Sequence, residues 1–261
     1  MSSARSVLLS LCSAVLVVAG FLLRAFLRAA LHAALLPQAT LGADPFIHFT
    51  SIADPFIRFT SISGSSTLKK TDEERNKTPS SGFFSGSIGQ YQDQVYGLTL
   101  CRGDTSPSDC KACVADAGAE IRRHCPRNKW AIIWYDDCMF KYLDTDFFGQ
   151  IDNANKFYMW NLKNVSDPEA FNGKVWGLLT GLVEEAYTVP KLYATGEMGL
   201  EDKTKLYGLV QCTRDLSATE CKECLEGAIG ELPSCCDGKE GGRGVGGSCN
   251  FRYEIYPFVN V

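Results

Sequence analysis

The chain has only three histidines, no block of basic residues and, beyond Leu23, no apolar run of membrane-spanning length. Each absence removes a class of function. Without clustered Lys and Arg there is no electrostatic footprint for nucleic acid, and a net charge of −4 disfavours anionic lipid. The segments flanking the two C-x2-C pairs offer no histidine ligand, which argues against zinc. No nucleophile stands beside a general base, and neither a phosphate loop nor a kinase motif appears. The sequence therefore reads as non-enzymatic, with no cofactor and no metal.

What is present is apolar enough to fold. With 261 residues, 45% hydrophobic and 21% charged, the chain can bury one large core or two small ones, which excludes disorder throughout. The first 43 residues stand apart: Arg5 precedes an apolar run from Val7 to Leu23, and no acidic residue occurs before Asp44. This is the pattern of a secretory signal peptide, residues 1–43, with removal expected near Ala43. Retention as a membrane anchor is the alternative, because the run reaches only the lower edge of the ~17–25 residues that span a bilayer. Removal leaves 23 Lys+Arg against 30 Asp+Glu and lowers the net charge to −7.

Twelve cysteines fit an exported protein, where such density implies a disulfide framework. Cys12 lies in the leader. The other eleven reveal an internal repeat, since CRGDTSPSDCKAC at 101–113 returns as CTRDLSATECKEC at 212–224. An offset of 111 carries Cys101, Cys110, Cys113, Cys125 and Cys138 onto Cys212, Cys221, Cys224, Cys236 and Cys249, and Tyr96-Gly97-Leu98 onto Tyr207-Gly208-Leu209. Two copies of one domain follow, over 44–147 and 152–258, with Cys235 alone lacking a counterpart.

Within each copy, QVYGLTL and TKLYGLVQ alternate as strands that end at the first motif cysteine. A helix should follow, because Ser106/Asp109 and Ser217/Glu220 stand at N-cap and N3 spacing and Pro107 takes the first helical position. KWAIIWYDDCMFKYL has the composition of one strand passing through Cys138. In copy two, Val175, Leu178, Leu179 and Leu182 keep helical spacing and predict a further helix ahead of the motif. Strands with helices on one face make an α+β domain.

C-x8-C-x2-C after a YGL strand, ELPSCCDGKEGGR and the closing SCNFRYEIYPF resemble the plant Gnk2-homologous domain, also called the DUF26 or stress-antifungal domain. Paired copies behind a signal peptide are similar to cysteine-rich repeat secretory proteins and to ectodomains of cysteine-rich receptor-like kinases. The resemblance implies two tandem domains, each a five-stranded antiparallel sheet with two helices on one face. It also implies the pairs Cys101–Cys110, Cys113–Cys138, Cys212–Cys221 and Cys224–Cys249. A redox reading of the C-x2-C pairs competes with this, but each of those cysteines already has a family partner.

Copy one departs from the family pattern. Where a cysteine-bearing strand and a first helix belong, it has ADPFIHFTSI-ADPFIRFTSI and then SGSSTLKKTDEERNKTPS, so Cys125 loses its usual partner and the N-terminal helix is missing. Copy two keeps the residues with which the family's founding lectin grips mannose, and the resemblance places a carbohydrate site at Asn161, Arg243 and Glu254. An amide, a guanidinium and a carboxylate together match vicinal hydroxyls. Copy one has Thr50, Ile132 and Leu143 at those positions, and none of them substitutes. The competing structural reading makes Arg243 and Glu254 a cross-strand ion pair. Asn76 and Asn164 head glycosylation sequons. Arg102-Gly103-Asp104 spells an adhesion tripeptide that ordinary loops of the family share. The expected function is extracellular, apoplastic recognition in plant defence or stress response, of mannose-type carbohydrate with antifungal action or of another extracellular protein.

Overall fold

The computed structural model describes residues 81–125, 128–200 and 204–259. The leader, the direct repeat, Thr50 and the Asn76 sequon lie outside the described residues. Two antiparallel sheets carry the fold. The first has strands β1 (Phe83–Ile88), β2 (Val95–Cys101), β3 (Ala131–Trp134) and β4 (Cys138–Leu143) in the order β1-β2-β4-β3, with helix α1 (Pro107–His124). The second has β5 (Lys156–Trp160), β6 (Tyr193–Gly199), β7 (Lys205–Cys212), β8 (Gly242–Gly246) and β9 (Cys249–Glu254) in the order β5-β8-β9-β7-β6. Helices α2 (Pro168–Ala186), α3 (Ala218–Gly230) and the single turn α4 (Leu232–Cys235) accompany it.

The helix starts are written in the sequence. The Ser106 hydroxyl accepts from the Asp109 amide at 3.2 Å, and Ser217 with Glu220 closes a reciprocal capping box. Copy one runs on as a single α1, whereas Gly230 and Pro233 divide the same stretch of copy two into α3 and α4. One expectation needs correction: KWAIIWYDDCMFKYL is a hairpin of two strands, β3 and β4, rather than one strand. Tyr135, Asp136 and Asp137 make its turn, with the Tyr135 amide donating to the Cys138 carbonyl at 2.7 Å.

Four disulfides clamp strand to helix in matching places: Cys101–Cys110, Cys113–Cys138, Cys212–Cys221 and Cys224–Cys249. Bridges closing 25-residue intervals contribute ~3 kcal/mol each in the chain-entropy model. Cys235 bonds to its neighbour Cys236. Cys125 is disulfide-bonded as well.

The second sheet and its helices enclose one continuous core running from Phe171 to Tyr253, with Leu179, Leu206, Val210, Leu225 and Phe251 wholly buried. In the first domain the described core is two small clusters, Leu98/Leu100/Met139/Phe147 and Cys101/Cys110/Ala117/Cys138. Among the described residues, the first domain has no counterpart of β5 or α2.

The sheet faces turned away from the helices meet each other. Trp134 Nε1 donates to the Gly246 carbonyl at 3.0 Å and its ring stands edge-on to Phe157 at 5.3 Å. Gln211 Nε2 donates to the Cys101 carbonyl at 3.0 Å, and Leu209 and Val245 are buried alongside. Lys141, only 2% exposed, binds Asp152 at 2.7 Å, while the Asp152 amide donates to Ser248 Oγ at 2.9 Å, tying the two domains together. Its hydrogen bonds from Lys141 and Asn155 outweigh burial and hold the Asp152 carboxyl below the usual carboxylate range.

Candidate functional site

Asn161, Arg243 and Glu254 come from three successive segments of the second sheet: the end of β5, β8 and the end of β9. Glycine makes this arrangement possible. A side chain at Gly241 would collide with the Glu254 carboxylate, and one at Gly242 would strike the Tyr253 ring, so the GGR stretch brings β8 close over β9. The Asn161 amide donates to the Gly241 carbonyl at 2.9 Å, so Asn161 and Glu254 both border Gly241.

Arg243 goes elsewhere. Its guanidinium pairs with Asp136 in the β3–β4 turn of the first domain, and its side chain keeps 16% exposure. Burial pushes its pKa below the ordinary arginine value, with Asp136 opposing the shift and Arg252 and Arg102 adding to it. Glu254 has no solvent exposure and accepts from Arg252 Nε at 3.0 Å. The Arg252 guanidinium also donates to the Tyr256 hydroxyl at 3.1 Å and lies 4.4 Å from the centre of the Phe258 ring. Asn161 is buried, and its side-chain oxygen accepts from the Lys163 amide at 3.0 Å. The ion pairs are thus Arg243–Asp136 and Arg252–Glu254, not Arg243–Glu254. Alternation along RYE carried the signal for the second pair, because residues two apart on a strand share a face.

The third guanidinium in this region is Arg102. It donates to Asp104 at 2.5 and 3.0 Å and approaches Asp137 at 3.3 Å. Burial works against its charge, but the Asp104 hydrogen bond and the nearby carboxylates prevail and raise its pKa. Gly103 packs against the Tyr193 ring and its carbonyl accepts from Lys191 at 3.0 Å. The Arg-Gly-Asp tripeptide is therefore part of the domain junction. A cavity of about 40 Å³ between the sheets is lined by Arg102, Trp134, Asp136, Arg243 and Arg252. A larger cleft of about 230 Å³ lies beside α3, where Tyr158 donates to Glu231 at 2.7 Å and Lys156 binds the same carboxylate. Asn164 is exposed, with its side-chain oxygen accepting from Lys239 at 2.7 Å.

Among the described residues no group of His, Cys, Asp and Glu is arranged to hold a metal ion, and no helix is long and apolar enough to cross a membrane. Fold and site together define a tandem pair of disulfide-clamped α+β domains, docked through their sheets with the Arg243–Asp136 and Lys141–Asp152 pairs across the junction.

The chain belongs to the salt stress response/antifungal family, the Gnk2-homologous or DUF26 family, whose profile matches residues 57–145 and 159–256. It is 54% identical over 223 residues to an antimicrobial ginkbilobin-2-like protein of Castanea crenata, covering 84% of this chain and 90% of the relative. It is 59% identical over 187 residues to cysteine-rich repeat secretory protein 38 of Arabidopsis thaliana, covering 71% and 74%. The crystal structure of the tandem DUF26 ectodomain of the Arabidopsis thaliana cysteine-rich receptor-like protein PDLP8 shares the fold. Its TM-score is 0.62 at 23% identity, over 74% of this chain and 90% of that one.

Proposed function

We propose that this protein is a secreted, non-enzymatic recognition protein of plant defence or stress response that acts by contacting another extracellular protein. The observation that carries the reading is the engagement of Arg243 by Asp136 across the domain junction, with Glu254 enclosed against Arg252. Arg243 keeps 16% exposure and Glu254 none, which speaks against an open sugar site. The names of its relatives, antimicrobial and secretory, supply the setting.

Mannose-type carbohydrate binding at Asn161, Arg243 and Glu254 is the second reading. It draws support from the neighbourhood of Asn161 and Glu254 at Gly241 and from the 45% exposure of Asp136, which a sugar hydroxyl would have to displace. Passage over a mannose matrix and a glycan array separates the two. The protein-contact reading expects no retention; retention that Arg243→Ala abolishes would overturn it in favour of the lectin.

A further inference from the structure

Packing between α3 and the second sheet is incomplete. The cleft of about 230 Å³ beside the Cys224–Cys249 bridge is bordered by α3, by β5 and β8, and by the linker at Ile151–Asn153. Glycine lines it on both sides, with Gly227 on the helix and Gly244 and Gly246 on β8. A Cβ at Gly227 would meet no atom within 4 Å.

The first domain fills the corresponding positions. At the repeat offset Asp116 replaces Gly227, and Ile133 and Tyr135 replace Gly244 and Gly246. Ile133 and Tyr135 pack against the cluster of Cys101, Cys110, Ala117 and Cys138. The open cleft is therefore a property of the second copy. Interiors are otherwise closely packed, so an opening kept by three glycines has the form of a small-ligand site.

The lining sets the chemistry such a ligand needs. Both oxygens of Glu231 are engaged: Lys156 pairs with one and the Tyr158 hydroxyl donates to the other at 2.7 Å. These bonds hold the Glu231 carboxyl below the usual carboxylate range, so Lys156 and Glu231 cancel as an ion pair. Asp152 is likewise spent on Lys141. Of the three carboxylates on α3, Glu220 belongs to the capping box and Glu226 lies 3.9 Å from Lys222. Glu223 borders the cleft, is exposed, and makes no hydrogen bond or ion pair among the described residues. One negative charge is left uncompensated, next to apolar lining from Ile151, Ala228 and Val245. None of the polar side chains of the cleft bonds to a residue outside the described ones.

We propose that this cleft binds a small organic monocation, a primary amine on a compact apolar body, with its ammonium on the Glu223 carboxylate and its body against Ile151, Ala228 and Val245. An ammonium supplies a charge-assisted donor to Glu223, and the cleft is smaller than drug-sized pockets, which keeps the body compact. Glu223 and the ionised Glu231 disfavour an anion. The site shares no residue with Asn161, Arg243 and Glu254, and it stands apart from the protein-contact reading.

The probe is benzylamine, titrated into the full chain at neutral pH and followed by backbone amide chemical shifts, with benzyl alcohol and benzoate as neutral and anionic counterparts. Saturable binding at about millimolar concentration is expected for so small a ligand, with the shifts centred on α3 and β5. Benzyl alcohol should bind a few-fold more weakly and benzoate more weakly still. Glu223→Gln should weaken benzylamine by a few-fold, the worth of an exposed ion pair, and leave benzyl alcohol unchanged. Gly227→Leu fills the cleft and should weaken both by about tenfold or more. Leucine is a better helix former than glycine and has open space here, and Glu223 is exposed, so both variants keep the fold. Absence of saturable benzylamine binding overturns the proposal. So does benzoate binding as tightly as the amine, or amine binding indifferent to either Gly227→Leu or Glu223→Gln.

Discussion

The two domains are built on the same four-strand arrangement and the same cysteine clamps, and they differ in what closes them. In the second, β5 extends the sheet and α2 covers its face, so a single core runs from Phe171 to Tyr253. In the first, the described strands are held by α1, two disulfides and two small apolar clusters. The residues that replace the second domain's core-facing pairs have adjusted only in part: Val210 becomes Thr99, whereas Met198 becomes the still apolar and exposed Ile88. Among the described residues, then, the disulfides and the docked partner sheet contribute to the first domain what a single large core contributes to the second.

The strongest way to break this comparison is to cut the tie between the halves. Asp152→Ala leaves the Lys141 ammonium buried without its carboxylate, and should cost about 3–5 kcal/mol in urea unfolding, with the first domain melting ahead of the second. A single cooperative transition with a loss under about 1 kcal/mol would mean that the halves do not depend on this pair. The same pair sets an acid limit. Because folding lowers the Asp152 pKa, its contribution is complete above the unfolded value near 4 and is lost as pH falls from there through the folded value.

A smaller perturbation compares the two sheet faces directly. Leu179→Ala empties a wholly buried site under α2 and should cost about 2–5 kcal/mol. Ile88→Ala, on the corresponding face of the first domain, should cost no more than about 1 kcal/mol because that side chain is already partly in water. Equal losses would mean that the first face is packed as tightly as the second.

The sequence made the repeat and the helix starts legible because those signals are local: cysteine spacing, Ser caps, Pro107 and the YGL strands. The α2 helix was equally plain in Val175, Leu178, Leu179 and Leu182, all of them buried. Two features escaped for a physical reason. The turn at Tyr135–Asp137 is hidden in a run of strand-forming residues, where composition outweighs two aspartates. The partners of Arg243 and Glu254 depend on how two sheets dock, and nothing near Arg243 in sequence points to Asp136, 107 residues away. The Cys235–Cys236 bond lay outside the repeat pattern, since Cys235 has no counterpart in the first copy.

A double-mutant cycle on unfolding stability, with Arg243→Ala, Asp136→Ala and the pair together, tests most directly whether the would-be sugar arginine serves the domain junction. Arg243 well buried and Asp136 half-exposed should give a coupling of about 1 kcal/mol. Additivity within about 0.3 kcal/mol would contradict the account, leaving Arg243 uncommitted and available to a ligand.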